Sequence, residues 1–283
     1  MISLCLCLTA AVGYAQFDTE FWMPPIWEAD NAQLNQPSEL FISTPFPNDV
    51  NVHVETADGV TFVFDGVVSS GNPLSIPLTT EIGQTDDPNV IIETGLLVTS
   101  DKPIQAVHKV SGSNNQTLTT LKGVNGRGTD FWCGSQVRNV NANYFPEEYH
   151  FISVMAMENN TTITFDTPFP MHANGGGTLS NPTVIQLNQY DSYLIRGTDP
   201  TIHVAGAHVT ADKEIVVNSG SIHTRIDGPN NGAADGGVDQ LVPVELMGNT
   251  FVVVKGQNGP TFDYAIMVAT EDNTEIFVDG NAT

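Results

Sequence analysis

The sequence predicts an all-β chain of tandem β-sandwich-like repeats of about 111 residues, and three observations carry that reading. Val98-Thr-Ser-Asp-Lys-Pro-Ile-Gln returns as Val209-Thr-Ala-Asp-Lys-Glu-Ile-Val, with Asp101 and Asp212 111 positions apart. Apolar residues alternate with polar ones at a period of two between Asn, Asp and Gly clusters, as half-buried strands joined by hairpins do. No window long enough for a helix keeps helical periodicity without Gly, Pro or β-branched interruption. About seven or eight short strands fit one repeat, which matches a sandwich of immunoglobulin size. A β-propeller, with blades of about 40 to 50 residues, is the alternative.

In chain order, residues 1–15 form an apolar run ending Gly13-Tyr14-Ala15. This reads as a secretory signal peptide with a truncated start, too short to span a membrane. Repeat 1 spans 16–125, repeat 2 spans 126–245, and an incomplete repeat 3 spans 246–283. Their opening strands carry Phe21, Phe131 and Phe251.

The second element of each repeat is an apolar run, a polar turn and an alternating strand. In repeat 1 these are Leu40-Phe-Ile-Ser-Thr, Pro47-Asn-Asp, then Val50, Val52 and Val54. Repeat 2 has Phe151 to Met157, Glu158-Asn-Asn, then Thr161, Ile163 and Phe165. Repeat 3 has Tyr264 to Ala269, Glu271-Asp-Asn, then Thr274, Ile276 and Val278. Hairpin turns are expected at Asp58-Gly59 and Asp65-Gly66, because Asp and Gly tolerate turn dihedrals. Leu74 to Leu78 in repeat 1 and Thr183 to Leu187 in repeat 2 are read as corresponding strands, and the Asp-Lys phrase as a tight turn. The third repeat stops before its own Asp-Lys strand, which reads as a piece of a longer protein.

Nine Lys and Arg against 32 Asp and Glu give a net charge of −23, which repels nucleic acid and anionic lipid. Hydrophobic residues at 40% with 14 Phe are enough for a core, so the chain is expected to fold. Of its three cysteines, Cys5 and Cys7 fall in the leader, and no disulfide can form within the mature chain. Cys133, beside Phe131-Trp132, reads as a small buried hydrophobe.

No motif for nucleophilic, zinc or phosphate chemistry is present, so no catalytic residue and no enzyme is expected. His203 and His208 would face opposite sides of a continuous strand, which prevents a shared metal site. His53 and His150 read as outward strand positions. Asp227, Asp235 and Asp239 are weak calcium candidates in a Gly-rich loop that lacks EF-hand spacing; otherwise no cofactor is expected. Asn- and Gly-rich loops at Gly112-Ser-Asn-Asn-Gln and Met171-His-Ala-Asn-Gly-Gly-Gly are the first places to look for a binding surface.

Three phrases resemble the N-terminal domain of IgGFc-binding protein and its bacterial relatives. They are Ser100-Asp-Lys-Pro-Ile-Gln-Ala-Val, Asp239-Gln-Leu-Val-Pro-Val-Glu-Leu-Met-Gly-Asn-Thr-Phe, and Ile266-Met-Val-Ala-Thr-Glu-Asp-Asn-Thr-Glu-Ile. In animals the resemblance implies a secreted mucus protein said to bind immunoglobulin Fc. In bacteria it implies large secreted or cell-surface proteins, often of the Bacteroidetes. It assigns no binding residue. The expected function is a non-catalytic extracellular adhesion or recognition module with a protein or glycan ligand, no nucleic acid partner and no membrane span. A carbohydrate-binding or glycan-hydrolysing domain and a structural spacer are the alternatives.

Overall fold

Two long strands, each bent at the repeated Asp-Lys pair, organise the molecule, and every other major strand pairs with one of them or with its neighbour. A computed structural model describes residues 17–27, 38–79, 82–111, 116–135, 149–225, 234–253 and 265–282. The leader at 1–15, Asp227 and Gly112 to Asn115 lie outside the described residues.

The first part of the chain contains β1 (Asp18–Met23), β2 (Ile26–Trp27), β3 (Glu39–Ser43), β4 (Val50–Thr56), β5 (Val63–Val68) and β6 (Leu74–Pro77). It continues through β7 (Gln84–Thr85), β8 (Ile91–Ile92), the long β9 (Leu96–Ser111) and β10 (Gln116–Thr120). The second part contains β11 (Arg127–Trp132), β12 (Phe151–Ala156), β13 (Thr161–Asp166), β14 (Thr183–Leu187) and β15 (Ser192–Arg196). The long β16 (His208–Arg225) and β17 (Ala234–Gln240) follow, and β18 (Phe277–Val278) and β19 (Asn281–Ala282) close the chain.

The N-terminal half of β9 pairs with β4 and β1, and its C-terminal half with β3 and β10. β5 and β6 extend the edges. The bend therefore carries one strand from one layer to the other, as at the corners of orthogonal sandwiches. Between the layers lie Phe21, Leu40, Ile42, Val52, Val98, Ile104 and Ala106, all buried. β16 repeats this plan with β13 and β11 on its N-terminal half and β12 and β17 on its C-terminal half. Its core gathers Phe131, Val154, Ile163, Phe165, Val209, Ile215 and Val217. The fold is all-β, built of sheets packed as sandwiches.

The Asp-Lys pair is thus not a tight turn. The inward alternation Leu96, Val98, then Ile104, Ala106 passes through it in the same phase, so the strand continues where a hairpin would reverse. Asp101 Oδ1 accepts from the backbone N–H of Asn51 at 3.0 Å, and Lys102 Nζ donates to the Asp49 carbonyl at 3.1 Å. In the second copy, Asp212 Oδ1 accepts from the N–H of Thr162 at 2.7 Å, and Lys213 Nζ donates to the Asn159 carbonyl. The recurring pair clamps the turn that enters β4 or β13, a partner about fifty positions upstream.

Other expectations are corrected in the same way. Asp58-Gly59 is a turn, with Gly59 at φ +67°, but Asp65-Gly66 lies inside β5. A Cβ at Gly66 would sit 2.5 Å from the Phe64 ring, so this glycine makes room for a side chain, not for a turn. Thr183–Leu187 takes the place of β5, and β15 takes the place of β6. Phe251 to Val253 and Ala265 to Ala269 form no strand, and Val254 and Tyr264 lie outside the described residues.

The two sheets also pack against each other. All six residues of β12 are buried, because its second face is covered; a strand buried on both faces loses the alternation of a half-exposed one. Trp22, Ile26, Trp27 and Ile92 from the first part meet Phe151, Met155, Leu194 and Val216 from the second. Asn218 Nδ2 donates to the Pro24 carbonyl at 3.0 Å, and Gln240 Nε2 to the Trp22 carbonyl at 2.8 Å. These amides satisfy a backbone stretch that burial has cut off from water. β8 adds directly to the edge of β15.

Candidate functional site

The contact between the two sheets brings Trp27, Tyr149 and Arg196 together. Trp27 closes β2, Arg196 closes β15, and Tyr149 precedes β12. The Arg196 guanidinium lies 3.9 Å from the centre of the Tyr149 ring and 5.0 Å from that of Trp27. The two rings meet edge to face, 5.8 Å apart at 87°. A cation against two ring faces is held electrostatically by their quadrupoles, more strongly where water is excluded.

Arg196 is half-buried and donates from a terminal nitrogen to the Gly197 carbonyl at 3.0 Å, while its Nε is buried without a hydrogen-bond partner. Burial lowers its pKa, and interaction with the Tyr149 hydroxyl partly offsets this. Three other cations find a carboxylate. Lys109 reaches Glu39 at 3.1 Å and Lys122 reaches Asp239 at 2.6 Å. Arg127 pairs with Glu214 and lies over the Trp22 ring. Among the described residues no carboxylate pairs with Arg196.

The loop around Gly175 adjoins this stack. His172 N–H donates to the Arg196 carbonyl at 2.9 Å, and bridges Met171 to Gly197 and His172 to Thr178 fix the loop base. Asn174 Nδ2 donates to the Pro88 carbonyl at 2.8 Å, and Asn89 Nδ2 to the His172 carbonyl at 2.9 Å. The loop is therefore tied to the first part of the chain. Gly175, Gly176 and Gly177 all have positive φ, and nothing lies within 4 Å of where a side chain would start. The loop tip faces open space. Burial, and then the charge of Arg196, lower the pKa of His172.

Of the calcium candidates, Asp227 lies outside the described residues. Asp239 pairs with Lys122, and Asp235 sits four residues earlier on the extended β17. No group of three or more His, Cys, Asp or Glu among the described residues is placed to hold a metal.

His150 is a correction: it is buried, not outward, with Nδ1 2.9 Å from the Ser135 hydroxyl. Burial, with the nearby charge of His203, pushes its pKa down to about 4. His203 and His208 share no strand, since β16 starts at His208 and Gly206 turns the chain at φ +83°. His203 packs edge-on against Phe169, while His208 stacks on Trp132 and bonds Asp130 at 2.9 Å. Cys133 is buried, and burial pushes its thiol up to about 12.

Sequence reasoning picked out the 171–177 loop but missed the stack beside it. Its three residues are scattered over positions 27, 149 and 196. The usable signal was scarcity: in a chain with nine basic residues, any arginine on an apolar strand is conspicuous. No helix among the described residues is long and apolar enough to cross a membrane. In comparisons with known proteins, the model of the family described as IgGFc binding protein matches residues 117–283, more than half of the 283 residues. No curated protein and no solved structure matches the chain.

Proposed function

The chain belongs to the IgGFc binding protein family, and from that premise we propose that it is a non-catalytic extracellular recognition module. It binds a protein ligand through the half-buried Arg196 and Tyr149, which the buried Trp27 supports from the contact between the sheets, and through the adjoining 171–177 loop. The observation that carries this reading is Arg196, a cation stacked on two rings without a carboxylate partner among the described residues of a strongly acidic chain. Trp, Tyr and Arg are the residue types on which interface energy concentrates. The loop supplies amide and glycine backbone groups that adapt to a protein surface. The edge-to-face rings lack the coplanar face on which a sugar stacks, so a protein ligand suits the site better than a glycan.

Surface plasmon resonance with immobilised immunoglobulin Fc tests the reading. Arg196→Ala should weaken binding about tenfold or more, and Arg196→Lys should restore little of it, because an ammonium lacks the planar stacking surface. Far-ultraviolet circular dichroism should be unchanged in both variants. Unaltered Fc affinity in Arg196→Ala would refute the site, and absence of Fc binding by the wild-type chain would refute the ligand.

A further inference from the structure

Residues 84–92 of the first part run as a strap along one edge of the second sheet. β7 pairs with β2 beside Trp27, and β8 closes the edge of β15 at Ser192 and Tyr193. The Asn89 N–H donates to the Leu194 carbonyl at 2.8 Å. Backbone bonds therefore anchor the strap to the sheet, and the Asn89 side chain is not needed for that.

The side chain reaches the 171–177 loop instead. Asn89 Nδ2 donates to the His172 carbonyl at 2.9 Å and lies 3.4 Å from Asn174 Oδ1, while Asn174 Nδ2 donates back to the Pro88 carbonyl at 2.8 Å. Each amide thus holds the backbone beside the other. Asn89 has φ +62°, a left-handed conformation that Asn adopts more readily than most residues.

The loop has few other means of staying ordered. Its base is fixed at Met171 and His172, but beyond the base the tip closes on itself, through the N–H of Gly176 on the Ala173 carbonyl at 3.0 Å and the N–H of Ala173 on the Gly177 carbonyl at 3.2 Å. Gly175, Gly176 and Gly177 have no side chains to pack, and glycine loses more conformational freedom on ordering than any other residue. Pro88 and Asn89 lie outside the stretch 117–283 that the family model matches.

We propose that Asn89 is a positioning residue of the binding surface, and that the strap 84–92 preorganises the 171–177 loop for its ligand. The binding unit is then larger than the stretch the family model matches. The inference rests on reading that loop as ligand-binding. A loop ordered in advance avoids the entropy cost of ordering on association, and a loop that must be ordered first associates more slowly.

The test uses the full 283-residue chain. Asn89→Gly keeps the left-handed backbone and removes the amide. Asn160→Gly, at φ +56° in the turn before β13, is the control for the effect of a new glycine on the unfolded chain. Hydrogen exchange at the amides of Ala173 and Gly176 should speed up about tenfold in Asn89→Gly and stay unchanged in Asn160→Gly. Exchange in β12 and β15 should not change in Asn89→Gly, and its urea midpoint should fall no further than that of the control. Adding Asn174→Ala should speed loop exchange by less than the two single effects combined, because the amides share a contact. On immobilised Fc, Asn89→Gly should weaken binding about threefold or more, through a slower association rate. Unchanged exchange at Ala173 and Gly176, an equal rise in β12 and β15, or wild-type Fc affinity in Asn89→Gly would each overturn the proposal. Absence of Fc binding by the wild-type chain refutes the Fc ligand alone, and the exchange result then decides this inference.

Discussion

Acidification to about pH 4.5 destabilises the fold through two buried imidazoles, and replacing His108 with Leu removes about half of that loss. His108 sits on the inner face of β9, opposite Leu40 and Thr119, with Gly83 close to its ring. It is 1% exposed, and neither ring nitrogen has a hydrogen-bond partner. Burial alone pushes its pKa from 6.5 down to about 4. The sign follows from proton uptake. As pH falls below 6.5 the unfolded chain binds a proton that the folded chain refuses until about 4, so stability is complete above the unfolded value and is lost through that window.

At pH 4.5 the two pKa values correspond to roughly 2–3 kcal/mol for His108, and about the same for His150. Equilibrium urea unfolding at several pH values, with the slope m held constant, measures it. His108→Leu should also gain about 1–3 kcal/mol at neutral pH, because it removes a buried polar ring that bonds nothing. If wild type and His108→Leu lose the same stability between pH 7.5 and 4.5, the assignment to His108 is wrong.

Three more outcomes are expected. Gly220→Ala should cost about 3 kcal/mol or more, or abolish folding, because the backbone has φ +144° and the new Cβ would lie 2.0 Å from the Gly237 carbonyl oxygen; a thermal melt within a few degrees of wild type contradicts this. Asn218→Ala leaves the buried Pro24 carbonyl unpaired and should cost about 1–3 kcal/mol in urea unfolding; an unchanged midpoint would show that this amide does not hold the two sheets together. The Cys133 thiol, buried and with its pKa raised to about 12, should stay unmodified by a thiol reagent at about pH 8 until denaturant is added; rapid native labelling would disprove its burial.

Strand identity was readable wherever one face met water. Val50, Val52 and Val54 alternate with exposed or half-exposed residues, and β4 lies where that alternation places it. The pairings of β5, β14 and β15 were not readable, because short strands of similar composition fit either edge and only the sheet decides which edge is open. His150 was misread for the same reason: its alternation with Phe151 suggests an outward position, but the Ser135 hydroxyl and the covered second face of β12 make that side interior too.

The Asp-Lys phrase shows where the division falls. Its recurrence 111 positions apart, and the unbroken alternation on either side, are properties of the chain alone, and they determined the all-β class and the repeated plan. The partners of Asp101 and Asp212 lie about fifty residues away in sequence, and Trp27 is farther still from Tyr149 and Arg196. Periodicity records which face of a strand is apolar, a local property set by two-residue geometry. Which backbone groups an Asp clamps, and which rings hold an arginine, depends on how two sheets pack, and only the tertiary structure decided that.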